Sequence, residues 1–187
     1  MEHIKLMKLM YLADRESIDI YGFSISDDEY WSMKKGPVLS LALDLMSGYG
    51  DKLPQAKWCE WVSAKENYRV SLCKKIDPEH NFNELASQEI DVMEKVIDQF
   101  GEYDVWRLVD YTHCSCKEWI DPGESRLRIT FRAILEALGK SESVIEAILK
   151  KQKRIAAIRY GPLPFPIPFV PFPPGTIPLE IGHITHA

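Results

Sequence analysis

The residues best suited to metal chemistry lie in a short run around His113. Cys114 and Cys116 follow it, separated by one serine. Paired zinc ligands usually have at least two residues between them, because that spacer lets both side chains reach one tetrahedral ion. The shorter spacer therefore favours reduced thiols that bind no metal. His183 and His186, three residues apart near the C-terminus, are weaker evidence for a metal site.

Cys59 and Cys73 are the other two cysteines, and they fall in two segments that are predicted below to form the strands of a hairpin. They would then face each other. Four cysteines in 187 residues are too few for a disulfide scaffold, so reduced thiols are expected here as well.

Acid–base chemistry has one candidate, the run Asp27-Asp28-Glu29. A polar turn before a strand explains these residues better than a catalytic cluster. The sequence also lacks a phosphate-binding loop, a nucleophile elbow and a metalloprotease motif. We therefore predict a protein that is not an enzyme, with no catalytic residues, no metal site and no cofactor.

The composition is that of an ordinary globular protein, with 45% hydrophobic and 27% charged residues. The length suits one domain with a full core and an appendage. The net charge of −5 opposes the attraction to phosphates on which nucleic-acid binding depends. No secretory signal and no membrane-spanning run are evident, so a cytoplasmic protein with no membrane partner is expected.

Residues 2–21 are predicted to form the central helix of the domain. Most of its circumference is apolar, so it is expected to be buried on several sides. Gly22 is well placed to end it. One narrow polar stripe is formed by Lys5, Lys8, Arg15 and Asp19.

Two short β segments are predicted in the first half. Glu29–Met33 reads as a strand, after which Gly36 allows a sharp turn and Pro37 suits the first position of a helix over about 38–47. Enrichment in Trp, Val, Tyr and Leu then predicts a hairpin with strands Trp58–Ala64 and Tyr68–Lys74.

The second half is predicted to be helical, with helices that begin at polar capping residues. These caps are Ser87, Asp104, Thr130 and Ser141, and glycines at 101 and 139 end the first and third of these helices. The fold class is therefore mainly α (α+β): a compact helical domain around a buried N-terminal helix, with a small antiparallel β-hairpin or sheet.

The last helix carries five cations and no acid after Glu146, at Lys150, Lys151, Lys153, Arg154 and Arg159. One interpretation is a basic patch for nucleic acid or an acidic partner. The interpretation we favour at this point is a solvated helix end whose cations complement the helix dipole.

After a domain over residues 1–160, the composition changes to an extended proline-rich tail over 161–187. The tail holds eight of the twelve prolines and one formally charged side chain, Glu180. Prolines alternate with apolar residues over 162–169. Because proline has no backbone N–H, all of the missing hydrogen-bond donors would lie on one edge of a strand. The segment is predicted to add as an edge strand to a partner or to its own domain. The alternatives are a tail packed on an apolar patch of its own domain, or sequence foreign to the protein.

Residues Lys5 to Arg15 read KLMKLMYLADR, which resembles the KLxKLLYxADR opening of the Panacea domain. Members of this family are SocA-like antitoxins, also known as phage-associated GepA-type proteins. The similarity spans about residues 3–140. It continues in Tyr21-Gly22, Tyr30 to Ser40, Asp98 to Gly101, Trp106 to His113 and Glu118-Trp119. Relatives usually carry a further helix before this opening, and the proline-rich tail departs from the family pattern.

The resemblance implies an antitoxin of a toxin–antitoxin system that neutralises a cognate toxin by direct protein–protein binding. Some relatives depend on a chaperone through C-terminal extensions, which makes a chaperone or a protease adaptor system a further candidate partner. The predicted contact residues are Tyr30, Trp31, Lys34 and Lys35 in the domain, and Phe165, Phe169 and Phe172 in the tail. Two alternatives are a DNA-binding regulator with winged-helix-like elements, against which the acidic balance counts, and an adaptor for proteolysis.

Overall fold

The computed structural model describes residues 1–77 and 84–160. The chain divides into two compact units, residues 1–152 and 153–187. The boundary predicted from the sequence, after residue 160, stays a prediction. The predicted tail lies outside the described residues.

The described residues form seven helices and three strands. The helices are α1 (His3–Tyr21), α2 (Ser40–Ser47), α3 (Lys52–Trp61), α4 (Ser87–Phe100), α5 (Val105–Ser115), α6 (Phe131–Ala137) and α7 (Glu142–Tyr160). The strands are β1 (Tyr30–Met33), β2 (Gly36–Leu39) and β3 (Leu127–Ile129). The predicted fold class, mainly helical with a small antiparallel sheet, is confirmed.

Helix α1 is the centre of the domain, as its apolar circumference predicts. It packs against α4, β2 and α5. Its side chains at Met7, Tyr11 and Ile18 are at most 2% exposed. Gly22 ends the helix in the left-handed conformation, with φ of 77°, and its N–H donates to the Ile18 carbonyl at 3.0 Å.

The three strands form an antiparallel sheet in the order β2-β1-β3. Tyr30 is paired with Leu39 on one side and with Ile129 on the other. The prediction of a strand ending at Met33 is confirmed. Strand β3 was not predicted, because three residues carry too little pattern to be identified without their partner strand.

Pro37 does not begin a helix, so that prediction is wrong. It lies within β2, opposite Ser32, and α2 begins only at Ser40. Proline lacks a backbone N–H and is therefore tolerated in an edge strand, which β2 is. Helix α2 then ends at Ser47, as predicted, with Gly48 as its C-terminal cap.

The predicted strand Trp58–Ala64 is also wrong in its first half. Residues up to Trp61 belong to α3, where Trp58 and Trp61 are three positions apart on one side of the helix. Trp and Val favour strands only weakly, so tertiary packing overrode the preference. The second half of the predicted hairpin is present, with bridges from Val62 to Leu72 and from Glu66 to Arg69.

Two of the predicted helix caps are confirmed in detail. The Asp104 carboxylate accepts from the Arg107 N–H at 2.9 Å, and the Thr130 hydroxyl accepts from the Ala133 N–H at 3.1 Å. Ser87 is not a cap but the first residue of α4. The preceding Ala86 holds the cap position, and its N–H donates to the Glu89 carboxylate at 2.8 Å.

The core is built mainly from α1, the sheet, α4, α5 and α6. Two apolar helix side chains lie outside this core and are half exposed, Leu41 on α2 at 49% and Ile97 on α4 at 50%. No helix among the described residues is long and apolar enough to cross a membrane.

Candidate partner-binding site

The Asp14 carboxylate joins α1 to the segment that leads into β1. It accepts hydrogen bonds from the backbone N–H groups of Ile25 and Ser26, at 2.9 and 3.0 Å, and from the Ser26 hydroxyl. The Tyr30 hydroxyl donates a further bond at 3.0 Å. Burial raises the pKa of the Asp14 carboxyl, while these donors oppose the rise. The carboxyl therefore orders the backbone between α1 and the sheet.

Arg15 and Glu118 form an ion pair across the domain. The Arg15 Nε lies 2.7 Å from the Glu118 Oε1, and the Glu118 side chain is fully buried. The Tyr11 hydroxyl donates to the same oxygen at 2.6 Å. Burial and this carboxylate together hold the pKa of Tyr11 well above its usual value. The pair fixes the segment after α5 to the middle of α1.

Lys8 is buried at 1% exposure, which corrects the prediction that places it in a polar stripe with Lys5. Its Nζ donates to the Pro37 carbonyl at 2.8 Å. Burial lowers the pKa of Lys8 to about 7. Lys8 therefore holds β2 to α1, in the same way that Asp14 holds β1.

Gly36 makes the close approach of this turn to α1 and α5 possible. Its φ of 97° is in the left-handed region, and a Cβ there would lie 2.8 Å from the Lys8 Nζ and 2.7 Å from the Thr112 hydroxyl. Any other residue would be strained and would also collide with these groups.

Trp119 connects the segment after α5 to the end of β1. Its Nε1 donates to the Met33 carbonyl at 3.0 Å, and the next residue, Ile120, donates its N–H to the Ser32 hydroxyl at 3.3 Å. The His113 ring stacks on Trp119 with centroids 3.9 Å apart. Burial, with a smaller effect from Lys8, lowers the pKa of His113.

These groups form what we call the buried polar network: Lys8, Tyr11, Asp14, Arg15, Tyr30 and Glu118. Its polar atoms are engaged with one another or with the backbone, so the network holds elements together. The neighbouring Cys116 is fully buried, and burial raises the pKa of its thiol to about 12, so it is no nucleophile near neutral pH. Among the described residues no group of His, Cys, Asp or Glu is arranged to hold a metal ion.

All four cysteines are described and none forms a disulfide. Cys59 was predicted to face Cys73 across a hairpin. It lies on α3 instead, so that prediction is wrong. Both are exposed, as is Cys114.

The family model for the antitoxin SocA-like, Panacea domain matches residues 6–120. This span is more than half of the chain and contains every residue of the buried polar network. The chain belongs to the Panacea family. No curated protein and no solved structure matches it.

In this Panacea domain the Tyr30 side chain is buried. It is 4% exposed, and its hydroxyl is bonded to Asp14, so the expectation of an exposed tyrosine here is wrong. Trp31 is half-buried, with the Arg126 guanidinium 4.6 Å from its ring centroid. The predicted residues Phe165, Phe169 and Phe172 lie outside the described residues.

Lys34 and Lys35 form the exposed turn between β1 and β2. Lys34 pairs with Glu124 in the segment after α5, and the Lys35 Nζ lies 5.6 Å from the ring centroid of Trp106 on α5. The turn is thus in contact with both neighbouring elements. The buried polar network and Trp119 hold this turn in place, because Lys8 and Trp119 donate to the carbonyls of the strand residues beside it.

Sequence reasoning missed two side chains beside this turn. Trp106 is 63% exposed and Ile120 is 64% exposed. The signal for Trp106 was available in the sequence, because the helical spacing of the apolar Val105, Leu108 and Val109 leaves position 106 off the face that they share. We call Lys34, Lys35, Trp106 and Ile120 the turn surface.

Proposed function

We propose that this protein is an antitoxin that neutralises a cognate toxin by direct, stoichiometric binding, with no catalytic turnover. Membership of the Panacea family supports the antitoxin role. The observation that supports binding at a defined place is the exposed Trp106 beside Lys35. The proposed contact region is the turn surface.

An exposed tryptophan on a rigid support is the usual centre of a protein interface. Trp and Arg are enriched among the few residues that carry most of the binding energy, and they act best where little conformational freedom is lost. Trp106 lies in the first turn of α5, and the turn beside it is fixed by Lys8 to Pro37 and by Trp119 to Met33. The surface therefore needs little ordering on binding.

Neutralisation is tested by co-expressing the chain with the toxin encoded beside it. We expect growth to be restored, and the two purified proteins to form a stable complex in which inhibition of the toxin is complete at equimolar ratio. Failure to rescue growth, or rescue by a small fraction of an equivalent of antitoxin, contradicts the proposal.

The contact region is tested separately with Trp106→Ala. We expect the dissociation constant for the toxin to rise at least about tenfold, equal to about 1.4 kcal/mol, because the substitution removes the central aromatic side chain. The matched control is Tyr49→Ala, which removes an aromatic side chain that is 71% exposed outside the turn surface. It should change the constant less than about twofold. Equal losses in both variants place the contact elsewhere.

The tail over 161–187 is outside the described residues, so its role as a partner-binding or chaperone-binding segment stays a prediction. It is tested by removing residues 161–187 and repeating the rescue with and without the cellular chaperones.

A further inference from the structure

The hairpin after α3 turns through two residues in the left-handed conformation. Asn67 has φ of 48° and Tyr68 has φ of 62°. Glu66 and Arg69, on either side, exchange two backbone hydrogen bonds of 3.0 and 2.8 Å. A two-residue turn with positive φ at both central positions is a type I′ turn. We call residues 66–69 the hairpin tip.

Tyr68 is an unfavourable residue for its place in this turn. Asparagine tolerates the left-handed region, because its short polar side chain can bond to the backbone nearby. A bulky side chain there brings its Cβ too close to the following carbonyl oxygen. Glycine is the usual second residue of such a turn and avoids this clash. The local structure therefore does not explain the tyrosine.

The backbone of Tyr68, and not its side chain, holds the hairpin tip to α1. The His3 N–H and the His3 Nδ1 both donate to the Tyr68 carbonyl, at 2.9 and 2.8 Å. Every residue type has this carbonyl. The Tyr68 ring stacks on the His3 ring with centroids 6.0 Å apart, yet the residue is 72% exposed. The phenol ring is thus presented to solvent on a turn that is firmly held.

The hairpin tip lies at the same end of α1 as Trp106 of the turn surface. His3, which bonds the tip, is the first residue of α1. Lys5, two positions later, donates to the carbonyl of Gly101 at the end of α4, and Trp106 is in the first turn of α5, the next helix. A standard interface covers about 800 Å² on each partner, so one protein bound at this end can contact both places.

The charges around the Tyr68 ring balance, which favours an apolar contact over an anionic one. Residues 65–69 hold two cations and one acid. The second cation, Arg69, pairs with Glu2 at 3.0 Å. The hairpin tip therefore offers a partner an aromatic ring without an excess of either charge.

We propose that Tyr68 is a second anchor of the toxin contact, which enters an apolar pocket on the toxin. This role rests on the proposed function and extends its contact region beyond the turn surface. Tyrosine suits the role because its large ring has few rotatable bonds, so little conformational freedom is lost on binding. Its hydroxyl then donates to an acceptor inside the pocket. Strained backbone positions are concentrated at binding sites of this kind.

The test compares Tyr68→Gly with Asn67→Gly in the full chain, with the toxin encoded beside it as the ligand. Both variants place a glycine in the same turn, but only the first removes the ring. Tyr68→Gly should unfold at a urea midpoint about 0.5 M higher than the parent protein, because the left-handed strain is relieved. Its dissociation constant for the toxin should nevertheless rise at least about tenfold.

Two further measurements separate the ring from the backbone and from the hydroxyl. Asn67→Gly should change the dissociation constant less than about twofold, since the ring is kept. Tyr68→Phe should raise it only about threefold, which corresponds to the loss of one hydrogen bond.

An unchanged constant in Tyr68→Gly, with a parent chain that binds the toxin and restores growth, overturns this role and leaves the proposed function intact. A parent chain that does not bind the toxin overturns both. Equal losses in Tyr68→Gly and Asn67→Gly would assign the effect to the backbone and overturn the anchor. So would a lower urea midpoint for Tyr68→Gly, or a parent dimer that this variant dissociates, as measured by light scattering.

Discussion

Lys8 lies in the core with the Pro37 carbonyl as its hydrogen-bond acceptor. Asp14 and Glu118 are likewise buried and bonded, one to the start of the sheet and one to α1. Buried charges are rare unless paired or hydrogen-bonded, because transfer from water costs several kcal/mol. At the scale of single residues, these charged positions of the family pattern therefore make contacts inside the protein.

Lys8 should make stability depend on pH in a predictable direction. Its pKa is about 7 in the folded protein and near 10.5 in the unfolded chain. Between these values the unfolded chain binds the extra proton, so the free energy of unfolding rises with pH. Between pH 7 and about 8.5, the free energy of unfolding of the parent protein should rise by about 2 kcal/mol more than that of Lys8→Met. Urea denaturation at each pH measures this difference.

The comparison with Lys8→Met removes the contribution of other titrating groups, such as Cys116. Lys57→Met, at an exposed position, is the control and should run parallel to the parent protein. Parallel profiles for Lys8→Met and the parent protein would show that Lys8 keeps an ordinary pKa in the fold.

At the scale of elements, the β1–β2 hairpin is positioned by groups that lie outside it. Lys8 contacts its second strand, Asp14 its first, and Trp119 the end of β1 near the turn. Gly36 is the position where this arrangement leaves no room for a side chain.

Gly36→Ala should therefore destabilise the protein more than a substitution at an equally left-handed but open glycine. Gly48 has φ of 79° with nothing within 4 Å of the position that a Cβ would occupy, so Gly48→Ala should lose only about 1–2 kcal/mol from backbone strain. Gly36→Ala adds the collision with Lys8 and Thr112, for a total of about 3–4 kcal/mol. Urea denaturation measures both, and equal losses would mean that the neighbours move aside freely.

At the scale of the whole molecule, the Arg15–Glu118 pair joins residues 103 positions apart in sequence. It connects α1 to the segment after α5, near the end of the residues that match the family model. The pair specifies how these two segments meet. Removing one partner would leave the other charge buried and unpaired.

Arg15→Leu should lower the free energy of unfolding by about 3 kcal/mol, because the Glu118 carboxylate stays buried without its cation. Adding Glu118→Gln should recover about 1–2 kcal/mol, since the amide oxygen still accepts from Tyr11 and carries no charge. Urea denaturation of the single and double variants measures this coupling.

The control is Lys74→Leu, which breaks an exposed ion pair with Glu60. Exposed pairs contribute at most about 1 kcal/mol, so this variant should remain close to the parent protein. A double variant less stable than Arg15→Leu alone would contradict the expected role of the unpaired carboxylate.

The sequence by itself determined the class of fold, the central helix and the family. These follow from local signals: an apolar circumference over α1, Gly22 and Gly48 as helix ends, and Asp104 and Thr130 as caps. Each signal is read within a few residues of the position that it describes. Where the local preference was weak, as over Trp58–Trp61, the prediction was wrong.

Only the tertiary structure decided which charged residues are buried and which aromatic residues are exposed. Lys8 and Asp14 look like surface residues in sequence, yet their partners lie on other elements. Tyr30 was predicted to be a contact residue, yet it is buried and its hydroxyl is bonded to Asp14. Trp106 was not predicted to be one, yet it is exposed to solvent. Burial depends on contacts between segments that are distant in the chain. A single sequence contains those segments but does not show which of them come into contact.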